Sequence, residues 1–188
     1  MAIAHPTSSD KKRLLGLDPG LRRTGWGVIE VEGNHLIHIA NGVVSSDSEK
    51  TIAERLVQLH SGILNLVRQF QPDEVAAEET FVNKNPESTL KLGLARGAVL
   101  LAPALSGIPV SEYAPNRVKK AVVGAGHANK NQVQVMVSNI LPKILITNED
   151  AADALAVAIC HAHFVQNPIL MHQLSRKDDL KQDAPKNQ

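Results

Sequence analysis

Four acidic residues in this chain could together hold divalent cations. Each stands where a predicted strand or helix ends beside an apolar run, and they are Asp18, Glu78, Asp150 and Asp153. Buried carboxylates repel one another and are costly to desolvate, and cations remove that penalty. Oxygen ligands without cysteine favour Mg²⁺ or Mn²⁺ over zinc. Two such ions, about 3.5–4 Å apart, would activate a water and stabilise the leaving oxygen in phosphodiester hydrolysis.

Two of these acids open a helix within the stretch N-E-D-A-A-D, residues 148–153. Asp150 and Asp153 are three apart, which places them on one helical face. The simpler interpretation is helix capping, because acids at a helix start meet free N–H groups and the positive end of the dipole. Capping accounts for Glu149. Taken singly, each of the four acids has such an ordinary explanation, but together they favour a metal site.

Other polar residues near these motifs are interpreted as structural. Glu79 adjoins Glu78 but must point to the opposite face of its strand, so it should not bind the same metal. His161 and His163 are two apart on a helix and face different directions. Cys160 is interpreted as core filling.

The acids must be positioned by a mixed sheet. Short apolar runs bounded by turn residues predict strands at 13–18, 25–32, 35–45, 74–79 and 108–114. The second and third form a hairpin out to one side, so the first and fourth can be parallel neighbours. Asp18 and Glu78 would then lie at one edge of the sheet.

Helical periodicity predicts helices at 51–70, 88–105, 115–123, 129–141 and 150–164. The helix at 88–105 is apolar around its whole girth, so it is either central in the core or packed against a second subunit. Three antiparallel strands followed by alternating helices and strands describe an α/β fold, a mixed five-stranded sheet flanked by helices.

Composition sets the class of protein. The 188 residues with 43% hydrophobic content suit one folded domain, predicted at 13–166, between a flexible extension at 1–12 and a disordered tail at 167–188. A single cysteine excludes an intramolecular disulfide and fits a cytoplasmic protein. The start lacks a signal-peptide core, and the longest apolar stretch, 97–110, is interrupted by Pro103, Ser106 and Pro109. We therefore expect no membrane segment.

Charge is unevenly distributed along the chain. The overall formal net charge is +1, but residues 84–130 hold seven basic and two acidic residues, while the remainder is net acidic. The basic central segment could bind the phosphates of a nucleic acid, and the acidic rest of the chain could bind cations. A nuclease requires both. A solvated helix face gives a similar count.

Five ordered blocks resemble the RuvC-type Holliday-junction resolvases. They are L-G-L-D-P-G-L-R-R-T-G-W-G-V around Asp18, A-A-E-E-T-F around Glu78, N-K-N-P-E-S-T-L-K-L-G-L-A-R-G from Asn83, E-Y-A-P-N-R-V-K-K-A-V-V-G-A-G from Glu112, and D-A-A-D-A-L-A-V-A from Asp150. The resemblance runs from about Arg13 to His163. The third acidic position is histidine in some members, and the residue after the strand acid, here Glu79, is often Gln.

The resemblance implies an RNase H-like fold, a homodimer and Mg²⁺-dependent cleavage of four-way DNA junctions by paired nicks, with the RuvA–RuvB complex as partner. The family's acidic positions fall on the four acids named above, which would hold two Mg²⁺ ions, with Mn²⁺ as a substitute. Its DNA-contacting lysines match Lys119 and Lys130. Arg117 and Lys120 are expected to contact phosphates as well. Phe81 would stack on an unpaired base at the junction centre.

Three other functions fit parts of the sequence. D-P-G-L-R-R-T-G from Asp18 could be a phosphate loop of an actin-like nucleotide-binding domain, but no second phosphate loop is found. An RNase H-like nuclease acting on structured RNA precursors is the second alternative. A junction-binding protein without catalysis is the third, and the intact carboxylates disfavour it.

Overall fold

The computed structural model of the chain describes residues 11–80, 85–142, 144, 146 and 148–167. Phe81 lies outside these residues, as do most of the predicted N-terminal extension and nearly all of the predicted tail. Within them the chain forms five strands and five helices in the predicted order.

One mixed sheet with strand order β3-β2-β1-β4-β5 occupies the centre. Its strands are β1 (Lys12–Asp18), β2 (Arg23–Glu32), β3 (His35–Ser45), β4 (Glu74–Glu78) and β5 (Val110–Tyr113). β1 pairs antiparallel to β2 and parallel to β4, which confirms the predicted neighbours. The parallel pairing brings the carboxyl ends of β1 and β4 to the same edge of the sheet.

The helices are α1 (Ile52–Phe70), α2 (Pro86–Leu105), α3 (Pro115–Val123), α4 (Lys130–Ile140) and α5 (Glu149–Val165). Their starts are set by side-chain caps. Thr51 and Glu54 form a capping box at α1, and Asn85 accepts the N–H groups of Glu87 and Ser88 at α2. This cap is why α2 begins at Pro86, two residues before the predicted start.

Alternation along the strands divides the core between the two faces of the sheet. Leu15 and Leu17 of β1 pack in a cluster with residues of α1 and α2. Leu14 packs in the other cluster, with residues of α3, α4 and α5. Asp18 is four residues after Leu14 and so lies on the same face of the strand, where it projects toward α5. Glu78 is two residues after Ala76, which packs in that second cluster, so it lies on the same face.

Helix α5 lies directly on β1 and β2 because small residues leave room for it. A Cβ added at Gly16 would lie 2.1 Å from the carbonyl oxygen of Ala154, and one at Gly27 would lie 2.5 Å from Leu155 Cγ. Side chains larger than hydrogen cannot fit at these positions, so the helix approaches the strand backbone closely. Twelve of its 17 residues are buried.

Helix α2 packs along α1 but leaves much of its apolar surface exposed. Leu90, Leu101 and Leu105 keep 66%, 49% and 71% of their surface exposed. This excludes the alternative of a helix central in the core. Among the described helices, α2 alone is long and apolar enough to cross a membrane by length and composition. The exposed face is the property that a contact with a second chain requires.

Candidate metal centre

The first two acids of the site stand at the ends of adjacent parallel strands. The pairing of β1 with β4 places Leu17 opposite Ala77, so Asp18 and Glu78 follow side by side. Both project to the α5 face. Their strands are fixed on both sides, since β1 lies between β2 and β4 and β4 lies between β1 and β5. The pair is therefore held on the rigid centre of the sheet.

The other two acids, Asp150 and Asp153, lie in the first turn and a half of α5. A Cβ added at Gly25 would lie 1.9 Å from the carbonyl oxygen of Asp150, so the helix start rests on the backbone of β2 opposite Asp18. The capping role expected of Glu149 belongs instead to Asn148, whose side chain accepts the N–H of Asp150 at 2.8 Å. The carboxylates of Asp150 and Asp153 are thus not needed as caps.

Three of the four acids line one cleft. It encloses about 240 Å³, and its lining consists of Asp18, Glu78, Pro115, Val118, Lys119, Lys130, Val133, Asp153 and Ala156. Asp150 lies beside this cleft, close enough for its charge to act on Asp18. Glu79 follows the end of β4 and does not contribute to the lining. The structure therefore brings together the four acids and two of the four predicted DNA-contacting basic residues.

Burial and mutual repulsion make the ionised carboxylates costly. Burial, followed by the charges of Glu78, Asp153 and Asp150, raises the pKa of Asp18 to about 8. Burial and the charge of Asp153 raise the pKa of Glu78 to about 7. Burial also raises the pKa of Asp153, while the ammonium of Lys130 opposes that increase. The cleft therefore favours any positive charge that enters it.

Two basic side chains already compensate part of this charge. Lys130 Nζ lies 3.6 Å from Asp153 Oδ2, and Arg23 Nε lies 2.9 Å from Asp150 Oδ2. Within the described ranges, no three acidic, histidine or cysteine side chains converge closely enough to hold a metal ion as they stand. The donor atoms are nevertheless all carboxylate oxygens, and the three acids that line the cleft outnumber its two lysines, which fits a hard divalent cation. Lys130 and Arg23 are then its competitors for the two α5 acids.

The remaining predicted residues lie differently. Lys120 is exposed on α3 and does not line the cleft. The Arg117 guanidinium lies over the ring of Phe164, 5.9 Å from its centroid, so it also packs against α5. Arg23 was not predicted from the sequence. Its signal was its position five residues after Asp18 in the turn, but its ion pair depends on where α5 packs.

The sheet order, the acids at the ends of adjacent parallel strands and the two acids of the facing helix define an RNase H-like nuclease. The family model of the crossover junction endodeoxyribonuclease RuvC matches residues 14–161. The chain belongs to this family, which confirms the resemblance seen in its motifs.

Known relatives match most of the chain. The Rhodospirillum rubrum crossover junction endodeoxyribonuclease RuvC is 62% identical over 152 residues, covering 81% of this chain and 90% of that protein. The Afipia carboxidovorans relative of the same name is 57% identical over 163 residues, covering 87% and 95%. The structure of Thermus thermophilus RuvC in complex with Holliday junction substrate superposes with a TM-score of 0.77 at 37% identity, covering 82% and 95%.

Proposed function

We propose that this chain resolves four-way (Holliday) DNA junctions in recombination and repair, by paired symmetric nicks that depend on Mg²⁺. The observation that carries the proposal is the cleft in which Asp18, Glu78 and Asp153 lie with Lys119 and Lys130. Carboxylates suit the cations and lysines suit the phosphates of the substrate. The Thermus thermophilus relative, whose structure contains a Holliday junction substrate, supports the choice of DNA.

Asp18, Glu78, Asp150 and Asp153 would hold two Mg²⁺ ions, for which Mn²⁺ can substitute. When bound, the ions supply a more acidic water and stabilise the leaving oxygen. The carboxyl groups must be ionised to bind them, so the raised pKa values of Asp18 and Glu78 mean that cation binding releases protons. In the hydrolysis, the oxygen of a water would bond to the scissile phosphorus as the bond to the 3′ oxygen breaks; the water would lose a proton to solvent and the 3′ oxygen would take one up. The ends are a 5′-phosphate and a 3′-hydroxyl, which a ligase can seal.

The lysines of the cleft bind the phosphate that is cut and its neighbours. The charges of Lys119 and Lys130 lower the pKa of Glu78, so they act on the carboxylates and on the substrate alike. Lys130 would have to leave Asp153 when a cation binds there, and it is then free for a phosphate. Arg117 and Lys120 remain proposed contacts at the margin of the cleft.

A homodimer fits both the substrate and the exposed face of α2. A four-way junction offers two equivalent strands, and a two-fold dimer presents two sites related in the same way. The candidate interface is an apolar groove between α1 and α2, and its lining consists of Leu56, Val57, His60, Gly93, Leu94, Gly97, Ala98 and Leu101. Exposed leucines at both ends of α2 continue it.

Further proposals follow from family membership. Phe81, which immediately follows the described end of the Glu78 segment, would stack on an unpaired base. The RuvA–RuvB branch-migration complex would supply the junction, and the enzyme would act in the cytoplasm. The nuclease domain would span 13–166.

One assay tests the function. A synthetic four-way junction, a linear duplex and a structured RNA of the same length are incubated with the protein, with and without Mg²⁺. We expect symmetric nicks in the junction with Mg²⁺ only, and none with Asp18→Asn. Preferential cleavage of the RNA would favour the alternative of an RNA-processing nuclease. ATP binding detected by calorimetry would favour the actin-like alternative.

A further inference from the structure

Arg23 contacts an acid of the candidate metal centre from outside the cleft. It begins β2, two residues before Gly25, and strand alternation places both residues on the α5 face. Its Nε lies 2.9 Å from Asp150 Oδ2. That oxygen is buried and accepts no properly oriented hydrogen bond from the described residues. The guanidinium of Arg23 is therefore the charge that compensates Asp150 in this structure.

Arg23 also borders a second pocket, whose lining shares no residue with that of the cleft. This pocket encloses about 440 Å³, and its lining consists of Arg22, Arg23, Ser45, Ser46, Asp47 and Ser48. Two guanidinium groups and the hydroxyls of Ser45 and Ser48 are donors of the kind that proteins direct to backbone phosphates. Asp47, the one acid of the lining, already accepts the N–H of Glu49 at its Oδ1. Arg23 is 55% exposed, so its side chain can turn from Asp150 into this pocket without unpacking the core.

The floor of the pocket is preorganised. Ser46 is buried, donates its hydroxyl to the carbonyl oxygen of Leu21 and accepts a hydrogen bond from Arg55 Nε at 3.0 Å. The backbone N–H of Ser46 donates to the carbonyl oxygen of Arg22 at 3.0 Å. These bonds fix the turn that carries Arg22 and Arg23 against the end of β3. The backbone that carries Arg22 and Arg23 is thus held at the edge of this pocket, beside the candidate metal centre.

We propose that Arg23 exchanges partners, pairing with Asp150 in the metal-free protein and, once a cation binds there, joining Arg22, Ser45 and Ser48 to hold a backbone phosphate of the DNA. The inference rests on the proposed nuclease function and deepens it. A cation and a DNA strand then favour each other's binding. The cation takes Asp150 from Arg23, which frees the guanidinium for a phosphate, and the phosphate takes Arg23 from Asp150, which frees the carboxylate for the cation. By linkage the effect is reciprocal.

The test compares Arg23→Gln with Arg22→Gln in two measurements that need no cleavage. The first is Mn²⁺ binding to the protein alone, followed by calorimetry. A partly exposed ion pair stabilises by up to about 1 kcal/mol, so we expect Arg23→Gln to bind Mn²⁺ about two- to fivefold more tightly. Arg22→Gln, which does not contact Asp150 in this structure, should bind it as the wild type does.

The second measurement is binding of a four-way junction and of a linear duplex, with and without Ca²⁺ as a cation that does not support cleavage. Ca²⁺ should tighten DNA binding by the wild type, and Arg23→Gln should lose about half or more of that gain. Arg22→Gln should weaken DNA binding but should keep the increase in affinity that Ca²⁺ causes. The proposed exchange would be wrong if Arg23→Gln bound Mn²⁺ with unchanged affinity, or if Ca²⁺ increased its DNA affinity as much as it does for the wild type. If junctions were not preferred to duplex, the proposed function would fail while the duplex data still reported on Arg23.

Discussion

Gly25 and Asp150 lie in backbone contact, and that contact sets the distance between the sheet and the helix that carries two acids of the candidate metal centre. A Cβ at Gly25 would meet the Asp150 carbonyl oxygen at 1.9 Å. Since Gly25 pairs with Asp18 across β1 and β2, one contact fixes acids from two elements relative to each other.

Gly25→Ala should therefore separate the start of α5 from the sheet. We expect a loss of about 3 kcal/mol in the free energy of unfolding, because the clash involves backbone atoms that cannot rotate away. Affinity for Mn²⁺ should fall as well, since the two pairs of acids would move apart. Gly126→Ala is the matched control, because its Cβ would meet only ordinary contacts at 3.5 Å and beyond. Equal thermal unfolding of the two variants would show that the packing tolerates the methyl group.

Asp18→Asn should abolish cleavage and yet stabilise the metal-free protein at pH 8. The unfolded Asp18 ionises near 3.8, whereas the folded carboxyl has a pKa of about 8. Ionisation therefore opposes folding by an amount that is absent below pH 4 and grows as the pH rises toward 8. Because Asp18 is partly exposed, we expect a gain of about 1 kcal/mol at pH 8 in EDTA. Thermal unfolding between pH 5 and 9 measures it, and a gain independent of pH would contradict the raised pKa.

Lys119→Ala should weaken junction binding and flatten its dependence on salt. Each phosphate contact that is lost removes about one from the slope of log K against log salt concentration. Lys11→Ala is the control, since Lys11 pairs with Glu30 and Glu32 at the opposite end of β1 from Asp18. Fluorescence anisotropy in Ca²⁺ at several salt concentrations gives both slopes. Parallel slopes for Lys119→Ala and wild type would place this lysine outside the DNA interface.

Leu101→Glu should convert the proposed dimer to a monomer. Leu101 lines the groove between α1 and α2 and is 49% exposed in the single chain, so a carboxylate there costs little in folding but would be buried unpaired in a dimer. Val135→Glu introduces the same charge at an apolar residue that is 60% exposed on α4. Light scattering at micromolar concentration should show a monomer for the first and a dimer for the second. A wild-type monomer would rule out this interface.

The sequence predicted the sheet and the acids because both depend on local patterns. Alternation distinguishes Glu78 from Glu79, and the early hairpin leaves β1 free to pair with β4. The start of α3 was predicted correctly, and the other four helix starts were displaced by one or two residues. At α2 and α5 the reason is that the amide caps Asn85 and Asn148 only become evident when their hydrogen bonds are seen. Family motifs, rather than periodicity, supplied Lys119 and Lys130.

The ion pair between Arg23 and Asp150 could not be predicted from the sequence. It joins residues that are far apart in the chain, and their proximity is created by the packing of α5 on Gly25. Arg117 remains a proposed phosphate contact, and the structure adds a second contact for it. Its guanidinium lies over Phe164, a contact that the placement of α3 against α5 creates.

The burial of α5 constrains how this protein can evolve. The same helix supplies much of one hydrophobic core and two of the four acids, so a substitution at Leu155 or Ile159 alters folding and the geometry of the candidate metal centre together. Few changes there can be neutral for both. Divergence in substrate preference is therefore left to exposed positions around the site, such as Arg22 and Lys120, where a new side chain can be selected for its contacts alone.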